Sequence, residues 1–274
     1  MSQPTVSVCI PTYNGEKHIK ETIESVLEQS FTDYELLIID DASADQTPQI
    51  IRSFSDTRIK FLENDTNLGM ANNWNRCLEN AKGKYLQILC QDDCLAKSCL
   101  QKKTEAFACD KEISLVFSSS YVMNANGKNL LERQAFRSHK LLDGKVMAHK
   151  SFTRRNIFGE PSNVMFKREV SQKVGLFDPR LCYSLDWDYW IRLSLAGRVY
   201  YLHDFLMFFR ISNVSATSNL MKTKSKLIQD DRQFIKNCQE NKKMKISSGD
   251  VLRHKMNIYL RAVARELLFK MFAH

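Results

Sequence analysis

Apolar positions in the first part of the chain form short continuous runs separated by a helical repeat. Residues 6–11 form a β-branched apolar run that ends at a proline, and residues 34–39 form a second run. Residues 16–29, between the two runs, carry apolar residues at the spacing of one helix face, namely Ile19, Ile23, Val26 and Leu27. The order strand, helix, strand is typical of the βαβ unit of a parallel sheet.

The same alternation continues along the chain and predicts an α/β fold with a mixed, mostly parallel central sheet flanked by helices. The predicted helices span residues 47–54, about 70–81 and about 186–193. The predicted strands span residues 58–62, 86–91 and 113–117, with a strand after the turn at residues 159–163 and a last strand from Tyr200. Residues 124–128 predict a hairpin-like turn.

Two of the predicted strands end in adjacent carboxylates. The strand of residues 34–39 is followed by Asp40 and Asp41, and a later strand by Asp92 and Asp93. Because ligands of open α/β sheets bind beyond the carboxyl ends of the strands, both pairs are expected at one edge. Adjacent carboxylates are costly to desolvate unless a cation or hydrogen-bond donors accompany them. Mg²⁺ or Mn²⁺ suits such oxygen ligands, and a solvated Asp-Asp turn is the alternative.

The chain lacks the glycine-rich phosphate cradles. It contains nine glycines, and neither GxGxxG nor GxxxxGK[ST] occurs. The dinucleotide-binding and P-loop sites are therefore excluded. If a nucleotide binds, side-chain carboxylates must contact its base and ribose while a metal ion holds its phosphates.

Composition indicates a globular protein in a reducing compartment. Of the 274 residues, 43% are hydrophobic and 26% charged. No run of about 18 apolar residues occurs, and the N-terminus lacks the regions of a signal peptide. The eight cysteines include no CxxC pair, which favours reduced structural thiols over a zinc site or redox pair. A cytoplasmic location is expected.

Basic residues are concentrated near the end of the chain. Residues 222–274 contain 13 Lys/Arg against 5 Asp/Glu, so that they carry +8 of the formal net charge of +9. They also contain an apolar stripe at helical spacing: Leu252, Met256, Tyr259, Leu260, Val263, Leu267 and Met271. Such a helix either packs on the parent domain or lies on an anionic membrane, here through residues 250–274 at the inner face. We therefore divide the chain into a domain of residues 1–220 and a basic helical extension of residues 221–274.

Three segments, taken in order, resemble a known family. They are VSVCIPTYNG from Val6, LLIIDDAS from Leu36 and NLGMANNWNRCLENAKGKYLQILCQDD from Asn67. Together they are similar to an inverting family 2 glycosyltransferase with the Rossmann-like GT-A fold, over about residues 5–215. The resemblance implies a nucleotide-diphosphate sugar donor and a divalent cation, Mg²⁺ or Mn²⁺, as cofactor.

The resemblance also implies roles for individual residues. Asp41 matches the contact to the nucleotide base, with Asp40 beside it, while Asp92 and Asp93 match the metal and ribose carboxylates. The other implied donor contacts lie in two loops: Pro11, Tyr13 and Asn14, and Asn67 and Gly69. Many members write the metal motif D-x-D-D, whereas Cys90 stands at the first Asp position here.

The second half of the chain contains the candidate general base. Asp186 matches the catalytic Asp of the family, with Leu185 in place of the usual Glu. The alternative is that Asp186 only caps its helix, since the helix dipole favours acids in the first turn. The polar, basic residues 133–158 are expected to cover the acceptor side, and residues 159–163 form either an acceptor loop or a simple turn. Ser212 replaces the histidine of the closing R-x-H segment of the family.

These features predict a metal-dependent enzyme that moves a sugar from a UDP- or dTDP-sugar to a glycan or lipid-linked acceptor, with inversion, in bacterial surface polysaccharide or glycan synthesis. Two other classes compete. A nucleotidyltransferase requires a Gly-rich basic triphosphate loop, which Thr12-Tyr13-Asn14-Gly15 is not. A nucleic-acid-binding protein would explain the basic tail, but the aromatic residues are not interleaved with a basic groove, and no nucleic-acid partner is expected.

Overall fold

A computed structural model describes residues 3–211 and 224–272, with the side chains of the last helix described as far as residue 260. The strands are β1 (Val6–Thr12), β2 (Tyr34–Asp40), β3 (Ile59–Glu63), β4 (Tyr85–Ile88), β5 (Cys94–Leu95), β6 (Ile113–Met123), β7 (Asn129–Arg133), β8 (Lys140–Leu142), β9 (Val164–Lys167) and β10 (Arg198–Arg210). The helices of these residues are α1 (Ile19–Leu27), α2 (Thr47–Arg52), α3 (Met70–Asn80), α4 (Cys99–Ala108), α5 (Gly144–Arg154), α6 (Arg168–Val174), α7 (Leu185–Ser194), α8 (Lys224–Glu240) and α9 (Ser248–Phe272).

The strands form a single sheet in the order β3-β2-β1-β4-β9-β6-β10-β5, with β7 paired to β6 and β8 paired to β10. β3, β2, β1 and β4 run parallel to one another, and so do β6 and β10. β9 lies antiparallel between β4 and β6. The sheet is therefore mixed, with most of its paired residues in parallel pairs, and the predicted βαβ unit at the start of the chain is confirmed.

Both faces of the sheet are covered. Cys9 and Leu37 enter the core formed with α3, α5, α7 and α8, whereas Val8 and Leu36 enter the core formed with α1 and α4. Side chains of a strand alternate between faces, and a strand buried on both faces is apolar throughout. This double burial explains why β1, β2 and β4 are visible in the sequence as continuous runs.

Several predicted boundaries are wrong. The strand predicted over residues 86–91 ends at Ile88, because the chain turns there and the Cys90 backbone N–H is bound by the Ser162 hydroxyl at 2.9 Å. The helices α4, α5 and α6 were not predicted. Lys103 interrupts the apolar face of α4 but is fully buried, since its ammonium group donates to the Asn163 carbonyl at 2.9 Å.

Two predicted strands are longer than expected. β6 continues to Met123, and the segments near Tyr200 and Phe208 belong to one strand, β10, whose pairing with β6 shifts register between Leu202 and Phe205. These shifts break the apolar pattern that the prediction relied on. The predicted turn at residues 124–128 is confirmed by the Asn124 N–H, which donates to the Lys128 carbonyl at 2.9 Å. Ser212 lies outside the described residues.

The first part of the basic C-terminal extension packs on the main body. α8 buries Phe234, Ile235 and Cys238 in the core that it shares with α7. α9 begins against α5, where the His254 ring stacks on Phe152 at 4.7 Å. The predicted division between residues 220 and 221 falls outside the described residues. In the part of the chain that the structure describes, no helix is long and apolar enough to cross a membrane.

Candidate active site

The carboxyl ends of β2, β1 and β4 lie side by side at one edge of the sheet. Thr12 pairs with Asp40 across β1 and β2, and Cys9 pairs with Ile88 across β1 and β4. Asp40 is the last residue of β2, and the turn after β4 leads into the second acidic pair. The fold thus brings Asp40-Asp41 and Asp92-Asp93 to the same edge, the position at which open α/β sheets bind ligands.

Asp41 organises the loop that precedes α3. Its carboxylate is buried and accepts the backbone N–H groups of Leu68 at 2.8 Å and Gly69 at 2.9 Å, together with the Asn64 side-chain amide at 2.6 Å. Gly69 has a φ of 82°, a backbone conformation that favours glycine. Asn67 adds a second acceptor for the Gly69 N–H at 3.0 Å. The carboxylate therefore fixes the predicted donor residues Asn67 and Gly69 in one loop.

Asp40 shapes the loop on the other side of Asp41. Its carboxylate accepts the Ser43 hydroxyl at 2.5 Å and the Ser43 N–H at 2.8 Å. Burial raises the pKa of Asp40, although the two bonds from Ser43 oppose the change. Asn14 closes the same loop by accepting the Ala44 N–H at 2.9 Å, and Asn14 and Ala42 both have positive φ angles, of 49° and 58°. Such strained residues concentrate at ligand sites.

Gln91 ties the first loop to the second acidic strand end, a role that the sequence did not predict. Its side-chain oxygen accepts the Thr12 hydroxyl at 2.5 Å and the Tyr13 N–H at 2.8 Å, and its amide donates to the Tyr13 carbonyl at 3.0 Å. Pro11 is buried in β1, whereas the Tyr13 ring is 47% exposed. The backbone of the loop is held while its aromatic ring remains accessible to a ligand.

Asp93 is engaged by the protein on both oxygens. The Ser162 hydroxyl donates to Oδ2 at 2.5 Å, and the Arg210 backbone N–H donates to Oδ1 at 2.9 Å. Burial, followed by the charge of Asp92, raises the pKa of Asp93 well above its usual value. Asp93 thus joins the end of β4, the turn before β9 and the end of β10, so that a structural role accounts for its contacts.

Asp92 is held differently. Its backbone carbonyl accepts the Arg210 Nε at 2.8 Å, and the Arg210 guanidinium continues to the Glu21 carboxylate at 2.6 Å. No hydrogen bond from another residue reaches the Asp92 carboxylate in the described portions 3–211 and 224–272. Burial raises its pKa, while its own backbone and Arg210 oppose the change. Of the two carboxylates, that of Asp92 is the one left for a ligand.

Cys90, at the first position of the acidic motif, is unsuited to bind a hard cation. Burial and the negative charges of Asp93, Asp92 and Asp186 raise the pKa of its thiol well above the usual value. A neutral thiol is a poor ligand for Mg²⁺ or Mn²⁺, which prefer oxygen. The charge of Asp186 is the smallest of these effects, and the geometric link between Asp186 and this end of β4 runs through Asn156 and the turn of residues 159–163.

The carboxylates at this edge of the sheet can bind a divalent cation only with one protein ligand. No cluster of three or more His, Cys, Asp or Glu side chains suited to a metal occurs in the described parts of the chain. Mg²⁺ is commonly held by one or two carboxylates together with water and substrate phosphates. Asp92 fits that arrangement as the single protein ligand, with the diphosphate of a bound nucleotide completing it.

Asp186 lies in the first turn of α7. The Asn156 side-chain amide donates to its Oδ2 at 3.0 Å. The backbone N–H groups of Trp187 and of Asp186 itself also favour the charged carboxylate, whereas the buried Trp190 indole N–H makes no hydrogen bond within the described residues. Burial outweighs these donors and raises the pKa of Asp186 to about 7. A carboxyl group with a pKa near neutrality is suited to accept a proton at physiological pH.

Asp186 lies at the start of a helix, so its ionisation differs according to whether it acts as a general base or as a helix cap. A carboxylate that serves chiefly as a cap is stabilised in its charged form by the helix N–H groups, which lowers its pKa. The N-cap of α7 is Ser184, whose side chain makes no capping bond, and the pKa of Asp186 is raised rather than lowered. The charged form of Asp186 therefore lowers the stability of the folded protein.

We expect Asp186→Asn to increase the stability of the protein at alkaline pH. Because burial raises the pKa of the folded carboxyl to about 7, its contribution to stability is complete below about pH 4 and is lost as the pH rises toward 7. The loss amounts to roughly 4 kcal/mol, for a shift of about three pKa units. Urea unfolding at pH 5 and pH 8 measures the difference.

A matched control for this experiment has the opposite sign. Hydrogen bonds from Arg180 lower the pKa of Asp178 to about 2, so that the wild type gains stability as the pH rises from about 2 to 4 and Asp178→Asn lacks this gain. An Asp186→Asn protein less stable than the wild type at pH 8 would show that Asp186 is an ordinary cap.

The turn of residues 159–163 is part of the framework of the site. The hydroxyl of the fully buried Ser162 accepts the Cys90 N–H at 2.9 Å and donates to Asp93 at 2.5 Å. Asn156, which holds Asp186, also donates to the Gly159 carbonyl at 3.0 Å. Next to it, Glu160 forms an ion pair with Arg133. The turn therefore connects the acidic strand end to the candidate base.

Comparison with known proteins relates the sequence to a family. The sequence model of glycosyl transferase family 2 matches residues 7–175, a segment that contains both acidic pairs and the turn before β9. A protein of Bacillus subtilis, provisionally named as the teichuronic acid biosynthesis glycosyltransferase TuaG, is 30% identical over 232 residues, which cover 82% of this chain and 86% of that protein.

Two solved structures share the fold. The Staphylococcus aureus protein TarS, solved in complex with UDP-GlcNAc, superimposes with a TM-score of 0.74 at 18% identity and covers 93% of this chain and 71% of that chain. The mannosyltransferase PcManGT from Pyrobaculum calidifontis, solved with GDP-Man and Mn²⁺, gives a TM-score of 0.63 at 19% identity, over 100% of this chain and 81% of that chain. At these identities the likeness establishes the fold.

Proposed function

Because the chain belongs to glycosyl transferase family 2 and has the GT-A fold, we propose that it transfers a sugar from a UDP- or dTDP-sugar to a hydroxyl acceptor with inversion of the anomeric carbon. The proposed acceptor is a glycan or lipid-linked glycan of bacterial surface polysaccharide synthesis. The observation that carries the proposal is the position of Asp186, whose carboxylate is joined at 3.0 Å by Asn156 to the turn of residues 159–163, and Ser162 of that turn binds Asp93 of the acidic pair.

The nucleotide of the donor occupies the edge formed by the ends of β1 and β2. The accessible Tyr13 ring stacks on the base, in the loop that Pro11 and Asn14 complete. Asp41 supports this site through the N–H groups of Leu68 and Gly69, and Asp40 supports it through Ser43. In this arrangement the two acids act chiefly by holding the loops that contact the base and ribose.

Asp92 would hold the divalent cation that accompanies the donor diphosphate, and Asp93 keeps Asp92 in place through Ser162 and Arg210. When bound, Mg²⁺ or Mn²⁺ supplies stabilisation of the negative charge that develops on the leaving diphosphate. The mannosyltransferase solved with GDP-Man and Mn²⁺ supports the pairing of such a cation with a nucleotide sugar on this fold.

Asp186 acts as the general base. Its carboxylate removes the proton of the acceptor hydroxyl while the hydroxyl oxygen bonds to the anomeric carbon. The bond from that carbon to the diphosphate breaks at the same time, and its electron pair leaves with the nucleoside diphosphate. Asn156 orients the carboxylate. A single displacement of this kind inverts the anomeric centre and requires no covalent intermediate.

A panel of nucleotide sugars tests the proposed donor. Ligands that bind only the native state raise its apparent stability, so UDP-, dTDP- and GDP-sugars are screened for thermal stabilisation with and without Mn²⁺. We expect metal-dependent stabilisation by a UDP- or dTDP-sugar. Stabilisation by nucleoside triphosphates alone would favour a nucleotidyltransferase, and salt-dependent retention of RNA or DNA would favour a nucleic-acid-binding protein.

We further propose that the exposed face of α9 contacts an anionic membrane from the cytoplasmic side. Leu252 and Tyr259 are 69% and 68% exposed and lie on one helix face with Met256. Arg253 and Lys255 are exposed beside them, in a segment whose net charge is +8. An apolar stripe with basic flanks matches a surface of anionic lipid headgroups.

We expect the triple substitution Leu252→Ser, Met256→Ser and Tyr259→Ser to abolish sedimentation with phosphatidylglycerol vesicles at low ionic strength. The variant keeps His254, whose buried ring holds α9 on α5, so that it should remain folded. Ile228→Ser and Leu176→Ser remove exposed apolar side chains elsewhere and serve as controls. Two results would contradict the membrane proposal. In one, the wild-type protein stays in the supernatant; in the other, the triple variant sediments with the vesicles as much as the wild type does.

A further inference from the structure

The start of α7 is held by a carboxylate from α8. Asp230 accepts the backbone N–H groups of Cys182, Tyr183 and Ser184 at 2.5, 3.0 and 3.0 Å. Its side chain is buried, with 5% of the residue exposed. These three N–H groups immediately precede α7 and would otherwise lie without partners at the helix entrance. A charged acceptor at this end is also favoured by the helix dipole.

Asp230 replaces a local cap. Ser184 occupies the N-cap position of α7 and makes no side-chain capping bond. The capping bonds are therefore made by a residue 46 positions later in the chain. The consequence is that the direction in which α7 begins depends on α8, and Asp186 lies two residues after Ser184.

Further contacts hold α8 against the residues that follow Asp186 in α7. The Asn237 side-chain amide donates to the Asp188 carboxylate at 3.1 Å and to the Asp178 carboxylate at 2.8 Å. The Phe234 ring lies 4.7 Å from the ring of Trp187. α8 therefore contacts α7 at Ser184, Trp187 and Asp188, which are the positions on either side of Asp186.

We propose that Asp230 is a positioning residue for the transfer reaction, which fixes the carboxylate of Asp186 by binding the three backbone N–H groups at the start of α7. The proposal rests on the assignment of Asp186 as the base in the proposed function. It makes α8, which lies beyond the segment matched to the family, a part of the active site. A placement error of about 1 Å at a reacting group costs on the order of 10²-fold in rate.

The test compares Asp230→Asn with Asp231→Asn. The asparagine at position 230 keeps one oxygen that accepts N–H groups, so that the protein should fold, but it loses the charge and the second acceptor oxygen. Asp231 is the adjacent residue on α8 and bonds to His254 at 2.8 Å, on the side of α9. Its substitution therefore disturbs α8 to a comparable degree without removing a contact to α7.

Two readouts are measured on full-length protein. The first is kcat and KM for Mn²⁺-dependent release of UDP from UDP-glucose and UDP-GlcNAc. The second is the titration of Asp186, followed by carbon NMR of protein labelled at aspartate carboxyls and assigned with Asp186→Asn. We expect Asp230→Asn to lower kcat by about 10-fold to 10²-fold with unchanged KM for the donor. The Asp186 titration should move toward that of an ordinary aspartate, because the loosened helix start lets water reach the Asp186 carboxylate. Asp231→Asn should leave both readouts at wild-type values.

Several results decide the proposal. Recovery of kcat in Asp230→Glu, which restores the charge and both oxygens, would support positioning. An Asp186 titration in Asp230→Asn identical to that of the wild type, or a kcat no lower than that of Asp231→Asn, would overturn it. Because the titration requires no substrate, a shifted titration in a protein that releases no nucleoside diphosphate from any sugar of the donor panel would contradict the proposed function, while the dependence of Asp186 on Asp230 would stand.

Discussion

Asp186→Asn should lower turnover by about 10²-fold to 10⁴-fold while nucleotide-sugar affinity stays at the wild-type value. The range is the usual contribution of a positioned general base. The donor is proposed to bind through the β1 and β2 loops and Asp92, none of which contacts Asp186. The asparagine oxygen still accepts the Asn156 amide, which donates at 3.0 Å in the wild type, so that the local structure should be retained. Steady-state kinetics and calorimetric titration of the donor measure the two quantities.

The pH dependence provides an internal check on the same experiment. Since the pKa of Asp186 is raised to about 7 and the base acts in its deprotonated form, kcat should fall as the pH decreases below 7. Asp186→Asn should lack this acidic limb. Asp231→Asn is the matched control, because the Asp231 carboxylate is bound by His254 at 2.8 Å, on the side of α9. Wild-type turnover across pH in Asp186→Asn would exclude Asp186 as the base and make Asp188 the next candidate.

Asp92→Asn should remove the metal-dependent part of donor binding. Loss of one partner of a buried charge pair costs about 2–5 kcal/mol, which corresponds to roughly 30-fold to 5 × 10³-fold in affinity. The asparagine retains the size of Asp92 and leaves the backbone bond to Arg210 unchanged. Calorimetric titration of the donor with and without Mn²⁺ measures the effect.

Asp93→Asn tests whether the two acids have been assigned correctly. Because Asp93 is occupied by Ser162 and the Arg210 backbone, its substitution should lower the thermal stability while much of the effect of Mn²⁺ on donor affinity remains. The opposite result, in which Asp93→Asn loses the metal effect and Asp92→Asn keeps it, would transfer the metal-binding role to Asp93.

The sequence predicts the strands of the site well because their burial leaves a continuous apolar signal. β1, β2 and β4 are covered on both faces, and the adjacent carboxylates after β2 and β4 stand out against the apolar runs. Parallel pairing then brings the strand ends to one edge. The α/β class and the GT-A fold expected from these segments are confirmed.

The contacts within the site depend on residues far apart in sequence and leave no local signal. Gln91 reaches Tyr13, Ser162 reaches Asp93, and Asp230 reaches Ser184 across 46 positions. A polar residue in a loop has the same sequence pattern whether it faces solvent or holds another loop. The sequence therefore identified the acids but did not distinguish the buried, fully bonded Asp93 from Asp92.

Helices of the second half were missed for a related reason. α5 buries Met147, Ala148 and Phe152 within a segment whose other positions are mostly basic or small and polar, so that its apolar face is narrow. Its start nevertheless carries a recognisable signal, because the Asp143 carboxylate accepts the Val146 N–H at 2.9 Å. A search for capping residues in residues 133–158 would have found this helix.

The anomer of the sugar first released from the donor tests the central claim most directly. Proton NMR follows the full-length protein with Mn²⁺ and an α-linked UDP-sugar from the thermal panel, with water as the acceptor, before the free sugar equilibrates. A single displacement assisted by Asp186 predicts that the β-anomer appears first, that its release requires the cation, and that Asp186→Asn abolishes it. Initial release of the α-anomer, or equal release by Asp186→Asn, would contradict the account.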